Sequence, residues 1–272
     1  MSDSALQRFL RSDVILVSAA LAGITALAWI YVIRLAADMD MGGMDMTGMR
    51  MVSTGFRMVM TSAHKPWTSG DVLLMFAMWA VMMTGMMMPS VAPVVLLYAR
   101  VERYAISQGQ AFAATSWFAA GYLLAWTSFS LLATIAQWGL ERAALLTPFM
   151  TAASAPLGAT LLVAAGVYQW SPLKQKCLAH CQSPLTFLQH HGGFQREARK
   201  SLMLGVRHGV YCIGCCWALM ALLFVGGVMN LAWIAGIAAL VLVEKIVPAG
   251  RILGRIAGLG FVAASLWILL VR

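Results

Sequence analysis

Hydrophobic residues form long uninterrupted runs along this chain, and charged residues are confined to the segments between the runs. An α-helix needs roughly 20 residues to cross a bilayer, and each run is about that long or longer. The charge-free runs are 14–33, 72–99, 105–140, 143–173 and 209–243. The pattern therefore predicts a polytopic membrane protein.

Turn residues divide the runs into seven predicted helices. Gly226, Gly227 and Asn230 favour a tight turn within the last run, and Pro248 and Gly250 end the helix that follows. The predicted helices are Val14–Ile33, Asp71–Ala99, Phe112–Trp138, Ala152–Trp170, Ser201–Val225, a sixth ending near Lys245, and Ile252–Val271. The predicted fold class is an all-α, polytopic transmembrane helix bundle of about seven helices, or six if the last hydrophobic segment does not span. We expect residues 1–272 to form a single transmembrane domain.

Basic residues are unevenly distributed between the two sides of this predicted bundle. Thirteen lysines and arginines fall on one side and six on the other, and the more basic side is expected to face the cytoplasm. This predicts a multi-pass protein of the bacterial inner (cytoplasmic) membrane with a cytoplasmic N-terminus and an outer C-terminus. A Met/Asp-rich loop, 38–70, then lies outside, and a loop with a Cys/His motif, 172–200, lies inside.

The amino-acid composition limits the classes of protein to which this chain can belong. The chain is 61% hydrophobic and 11% charged, which is far from the balance of a water-soluble domain of this size. The formal charge of +9 sits in the interhelical segments, so we expect the lipid bilayer as the partner and no nucleic acid. The sequence contains no P-loop, dinucleotide-binding turn or nucleophile elbow, which favours a binding protein over an enzyme.

The five cysteines fall into two groups, of which the first also carries a histidine. In Cys177-Leu-Ala-His180-Cys181, spacings of three and four place two thiols and an imidazole on one helical face. Thiolate and imidazole are ligands of zinc and copper. Thiolate favours Cu(I), because a soft donor suits a soft cation.

The second group is Cys212-Ile-Gly-Cys215-Cys216, within the fifth predicted helix. Cys212 shares a helical face with Cys215 and Cys216, and the glycine between them permits close approach of a neighbour. The same spacing is typical of dithiol redox chemistry, and a cysteine in a membrane helix also serves as a small apolar residue. His208 precedes the group in an apolar segment, where an ionisable side chain requires a partner, so it is a candidate ligand.

The predicted topology brings the two groups to the same side of the membrane. The fourth helix ends near the first group, and the fifth helix begins on that side and leads into the second group. We therefore expect the first group, Cys212, and one of Cys215 or Cys216 to converge on one ion or on two close ions.

The 20 methionines are concentrated in two places. Six lie among aspartates between positions 39 and 51, where a solvated loop gives a thioether no benefit of burial. Met41, Met44 and Met46 are candidate ligands for weak, reversible binding of Cu(I). Further methionines recur along one face of the second helix and form a stripe. Met82 and Met86 of this stripe are further candidate ligands, although methionine is also a common packing residue in protein cores.

Other polar residues carry less information in the sequence. Glu244 and Lys245, at the end of the sixth helix, are expected to be interfacial charges that anchor the helix end. His190 and His191 are expected to form a solvated pair in the inner loop.

The sequence resembles a known family in three of its motifs. They are the run Trp79-Ala-Val-Met-Met-Thr-Gly-Met-Met-Met-Pro-Ser90, the Cys177-x-x-His-Cys181 group, and Gly209-Val-Tyr-Cys-Ile-Gly-Cys-Cys-Trp-Ala-Leu-Met220. These motifs are similar to those of bacterial proteins catalogued as predicted metal-binding integral membrane proteins, over roughly residues 71–250. The resemblance implies metal binding in the membrane and does not extend to the outer methionine loop.

These features together predict copper handling. Outer methionines would collect Cu(I), the second helix would pass it inward, and the Cys/His site would hold or deliver it, in transport, delivery or sensing. Copper is the expected ion, with zinc or another soft metal as the alternative. A soluble metallochaperone or another membrane subunit is a candidate partner. The rival functions are a membrane thiol/disulfide oxidoreductase using paired cysteines and a copper-dependent membrane enzyme.

Overall fold

A computed structural model describes residues 3–41, 49–54, 57–62, 67–110, 113–147 and 150–271. The described residues form ten helices and one two-stranded antiparallel hairpin. The helices are α1 (Asp3–Met41), α2 (Ser69–Ser107), α3 (Thr115–Arg142), α4 (Ala155–Tyr168), α5 (Pro172–Gln182), α6 (Pro184–His190), α7 (Ala198–Ala221), α8 (Leu223–Gly226), α9 (Leu231–Ile246) and α10 (Gly250–Val271). The strands are β1 (Met49–Thr54) and β2 (Arg57–Ser62), paired from Met49 opposite Ser62 to Thr54 opposite Arg57.

The predicted helical fold class is confirmed. Within the described ranges, five segments are long and apolar enough to cross a membrane: α1, α2, α3, α7 continued by α8, and α10. The shorter helices α4 and α9 account for the other two predicted helices. The hairpin lies in the segment that was expected to be an outer loop.

Two helices, α5 and α6, were not predicted from the hydrophobic pattern. Both are short and lie in the segment expected to be an inner loop. Ser171 caps α5 by accepting a hydrogen bond from the Lys174 amide, and Pro172 occupies the first turn, where its missing N–H costs nothing. The helical form of α5 matters because it carries the first cysteine group.

The centre of the bundle is formed by α2, α3 and α7. Glycines make close backbone contact between α3 and α7: a Cβ atom at Gly205 would overlap the Phe118 carbonyl, and one at Gly121 would overlap the Leu202 carbonyl. Small residues at such positions allow membrane helices to approach closely. By contrast, only 17% of the most apolar stretch of α1, and the same share of that of α10, is buried, so these two helices lie at the outside of the bundle.

Candidate metal centre

The five cysteines are all buried and all free, and they lie where α5 packs against α7. Cys177 and Cys181 face inward from α5. Cys212, Cys215 and Cys216 follow one another around the buried side of α7. The two groups, separated by more than 30 residues in sequence, therefore meet in the core.

Distances between the sulfur atoms and their neighbours show how closely the helices approach. The Sγ atoms of Cys181 and Cys215 are 4.0 Å apart. Cys177 Sγ lies over Gly214, where an added Cβ would be only 2.8 Å from the sulfur. The thiols of Cys215 and Cys216 donate to the carbonyl of Cys212 at 3.1 and 2.9 Å. Glycine at 214 therefore leaves room for the Cys177 sulfur against α7.

The separation of Cys181 and Cys215 suits one bridging ion. A metal–thiolate bond is about 2.3 Å long in zinc sites, so two sulfurs on opposite sides of one ion stand at most about 4.6 Å apart. The observed 4.0 Å falls within that limit.

Burial raises the pKa of the Cys177 thiol, and the nearby Cys215 adds to this effect, so Cys177 keeps its proton unless a cation replaces it.

Lys245 is part of the centre, which sequence reasoning missed. Its side chain is buried, and its Nζ donates to Cys212 Sγ at 2.8 Å and to Ser90 Oγ at 3.1 Å. The Tyr122 hydroxyl lies 3.1 Å from the same sulfur and donates to the Met87 carbonyl at 3.3 Å. The expectation that Lys245 anchors a helix end at the interface is therefore wrong, because its ammonium group points into the protein.

Glu244 is also buried, so the same expectation is wrong for its neighbour. The Glu244 carboxylate forms an ion pair with Lys174 of α5, 2.7 Å from oxygen to nitrogen, and accepts a hydrogen bond from Gln169. Lys174 donates to Gln169 as well, and the Gln182 side chain donates to the Glu244 carbonyl at 2.7 Å. These bonds attach both ends of α5 to α9 and so fix the helix that carries Cys177 and Cys181.

His208 is enclosed by aromatic rings on the same side of α7. Its ring lies 4.8 Å from that of Phe187 and 5.9 Å from those of Phe118 and Tyr122, between centroids. Its Nδ1 atom is buried without a hydrogen-bond partner among the described residues. A buried polar atom without a partner is costly, which keeps His208 a candidate ligand.

His180 has a different set of neighbours from the one the sequence suggested. Its ring stacks on Tyr211 at 4.3 Å and lies 6.0 Å from His191 and 6.4 Å from His190. Its Nδ1 is 2.9 Å from the Lys176 carbonyl. Contacts with the other histidines and Tyr211 therefore dominate its surroundings, and its role as a ligand beside the thiols stays a prediction.

The methionines of α2 are buried in the core. Met82 and Met86 line a small apolar cleft together with Ala28, Trp29 and Gly85, which is compatible with packing as well as with metal passage. Met44 and Met46 lie outside the described residues. Met41 is the last residue of α1, and its side chain is outside the description.

The described side chains do not form a completed metal site. Among the residues that the structure places, no group of three or more His, Cys, Asp or Glu side chains is arranged to hold a metal ion. The donors that fit an ion best are the pair of opposed thiols. Two soft donors suit Cu(I) better than zinc, which takes four ligands in structural sites.

Comparison with known proteins identifies a family whose model matches this chain. Residues 76–268, more than half of the chain, match the model of a family described as PpoB2, copper chaperone. No curated protein and no solved structure matches the chain.

Proposed function

Because this chain belongs to the PpoB2 copper chaperone family, we propose that it binds Cu(I) within the membrane at the buried thiols and passes the ion on. Cys181 and Cys215 are the proposed primary ligands, with Cys212 completing the sulfur group. Cys177, Cys216 and His208 form its immediate surroundings and supply further donors during entry or release of the ion.

The observation that carries the proposal is the 4.0 Å distance between Cys181 Sγ and Cys215 Sγ, across two different helices. The sulfurs lie in the core of an apolar bundle, where water does not compete for the ion. Thiolates select Cu(I) over harder cations. Together with the family, this pairing supports binding of copper and not of an arbitrary metal.

The methionines supply a proposed route to the thiols. Met41, Met44 and Met46 would collect Cu(I) outside, and Met82 and Met86 of α2 would pass it inward through weak thioether bonds. His180, beside His190 and His191, would receive or release the ion at the loop side. We place the protein in the bacterial inner membrane with its N-terminus in the cytoplasm, where a soluble metallochaperone or another membrane subunit would exchange copper with it.

Metal analysis of the detergent-purified protein tests this proposal. After anaerobic incubation with Cu(I) and removal of free copper, the wild type is expected to retain copper, whereas Cys181→Ser and Cys215→Ser are expected to lose most of it. Cys177→Ser and Cys212→Ser are expected to lower the bound amount. Unchanged stoichiometry in all four variants would exclude the shared site, and retention of zinc alone would exclude copper.

A buried substitution far from the thiols provides the control. Thr134 is buried in α3, and its hydroxyl donates within that helix. It lies 12 residues beyond Tyr122, which is about 18 Å along the helix. Thr134→Ser is therefore expected to retain copper as the wild type does. A Cys181–Cys215 disulfide trapped in cells, instead of thiols protected by metal, would contradict the proposal and indicate redox chemistry.

A further inference from the structure

The hairpin between α1 and α2 places the methionines of its two strands on one face. In an antiparallel pair, directly opposed residues share a face, and every second residue along a strand returns to it. Met51 of β1 stands opposite Met60 of β2. Two positions before them stand Met49 on β1 and Met58 on β2. The pairing therefore assembles four methionines from two strands into a set that neither strand provides alone.

The opposite face of the hairpin has a different composition and no methionine. It consists of two arginines, two valines and two threonines: Arg50, Val52, Thr54, Arg57, Val59 and Thr61. Strands favour β-branched residues such as valine and threonine, and this face follows that preference. The methionine face does not follow it, so strand stability alone does not explain the choice of residue there.

The register brings the four positions within reach of one ion. Directly opposed residues have Cβ atoms about 4.5 to 5.5 Å apart, and diagonal neighbours on the same face are about 7 to 8 Å apart. Met51 and Met60 are such an opposed pair, and Met49 and Met58 are diagonal neighbours of it. Methionine is unbranched, with three rotatable bonds and a polarisable sulfur, so its length and freedom suit a shared ion between these positions.

We infer that this methionine face, Met49, Met51, Met58 and Met60, is a second metal site, which binds a soft monovalent cation such as Cu(I) or Ag(I) through thioether sulfur. Thioethers select Cu(I), whereas zinc takes thiolate, imidazole and carboxylate ligands. The site goes beyond the proposed function, because it is separate from the thiols of α5 and α7. It also precedes residues 76–268, which match the family model.

Binding of an ion by both strands is coupled to their pairing. A two-stranded hairpin is only marginally stable in water by itself. An ion that binds the paired form and not the separated strands shifts the equilibrium towards pairing by mass action. Capture of the ion is therefore expected to protect the backbone amides of β1 and β2 from hydrogen exchange, an effect that binding at the thiols alone does not produce.

Titration of the purified full-length protein with Ag(I) tests the inference. We expect the wild type to show a tight class of site at the thiols and a weaker class at the hairpin, with slower amide exchange in β1 and β2 as the weaker class fills. Met51→Leu combined with Met60→Leu is expected to weaken the second class by about tenfold or more. The tight class should stay unchanged, which shows in the same sample that the bundle is folded.

The opposite face of the hairpin supplies a matched control. Val52 and Val59 are also directly opposed, so Val52→Leu combined with Val59→Leu changes a neighbouring pair and leaves all the methionines in place. We expect it to keep both classes of site. A second variant exchanges neighbours on β2, Val59→Met with Met60→Val. It preserves the number of methionines but breaks the opposed pair, and it is expected to weaken the second class.

Four results would overturn the inference: a wild type without a second class, an unchanged second class in the paired leucine variant of the methionines, an unchanged second class in the β2 exchange, or equal losses in the methionine and valine variants. The third would assign binding to methionine content and not to register, and the fourth would assign the loss to disruption of the hairpin. The proposed function fails by a different result. If Cys181→Ser and Cys215→Ser leave the tight class unchanged, the thiol centre is wrong, whatever the hairpin variants show.

Discussion

At the scale of single residues, the candidate centre depends on side chains that are small or unusually placed. Gly214 lets Cys177 of α5 approach α7, and Lys245 reaches the sulfur of Cys212 from α9. Neither contact is visible in the local sequence. Glycine inside a helix is ordinarily unfavourable by about 1 kcal/mol relative to alanine, so its presence among the cysteines indicates a packing requirement.

Replacing Gly214 tests that requirement. Gly214→Ala would bring a methyl group within 2.8 Å of Cys177 Sγ, so the thiol has to turn away or α5 has to move from α7. Overpacking of this kind costs about 1 to 3 kcal/mol, and we expect Cu(I) affinity to fall by roughly tenfold or more. Equilibrium competition with a Cu(I) chelator measures the change.

The chain offers a matched control for this prediction. An added Cβ at Gly236 of α9 meets nothing within 4 Å, so Gly236→Ala makes the same chemical change in open space. We expect it to leave Cu(I) affinity unaltered. Equal affinities in the two alanine variants would show that the close approach of Cys177 to Gly214 does not contribute to binding.

At the scale of elements, α5 is a short helix that depends on α9 for its position. It has only 11 residues, too few for stability on its own. The Lys174–Glu244 ion pair and the Gln182 hydrogen bond attach it to the bundle. Because α5 carries two of the five cysteines, this attachment positions the α5 side of the candidate centre.

Breaking the ion pair should therefore affect stability and copper binding together. Glu244→Gln leaves Lys174 buried without its counter-charge, and removing one partner of such a pair costs about 3 to 5 kcal/mol. We expect a lower unfolding temperature in detergent and weaker Cu(I) retention. Thermal unfolding followed by fluorescence, together with metal analysis, measures both effects.

The double variant separates the ion pair from the polar contacts around it. Lys174→Met combined with Glu244→Gln removes both charges and should recover most of the stability lost in Glu244→Gln alone. A double variant as unstable as the sum of the two single variants would show that the charges act independently.

The second element with a testable role is α2, whose methionines fill the core. Met82→Ile and Met86→Ile keep an apolar side chain of similar size but remove the thioether. We expect slower copper transfer to or from the thiol centre, with an unchanged amount bound at equilibrium. Stopped-flow measurement of Cu(I) loading checks this, and Met220→Ile, which changes a buried methionine of α7 outside the stripe, serves as a packing control. Equal rates in all variants would assign the stripe to packing.

At the scale of the whole molecule, the bundle has an apolar exterior and a hydrophobic core that also holds thiols and ionisable side chains. Outer helices such as α1 and α10 expose most of their hydrophobic surface. Lys174, Glu244, Lys245 and His208 are buried between the helices. Ionisable groups inside a membrane protein ordinarily face such an interior and mark its functional site.

The number of crossings leads to a prediction about topology. Five segments of the part of the chain that the structure describes are long enough to span, and α4 and α9 raise that count to seven. Either odd number places the two ends of the chain on opposite sides. Reporter fusions are expected to show a cytoplasmic N-terminus and an outer C-terminus, in accord with the basic residues. Both ends on one side would indicate an even number of crossings and contradict the predicted topology.

The sequence by itself determined the long apolar helices, because a charge-free run of about 20 residues satisfies its backbone and its apolar side chains only as a membrane helix. It also identified the cysteine groups, whose spacing of three and four is a local property of a helix. The positions of Lys245, Glu244 and His180 were decided only by the tertiary structure. Whether a charge at a helix end faces water or the core depends on partners more than 30 residues away, Cys212, Lys174 and their neighbours, and no local pattern encodes such a pairing.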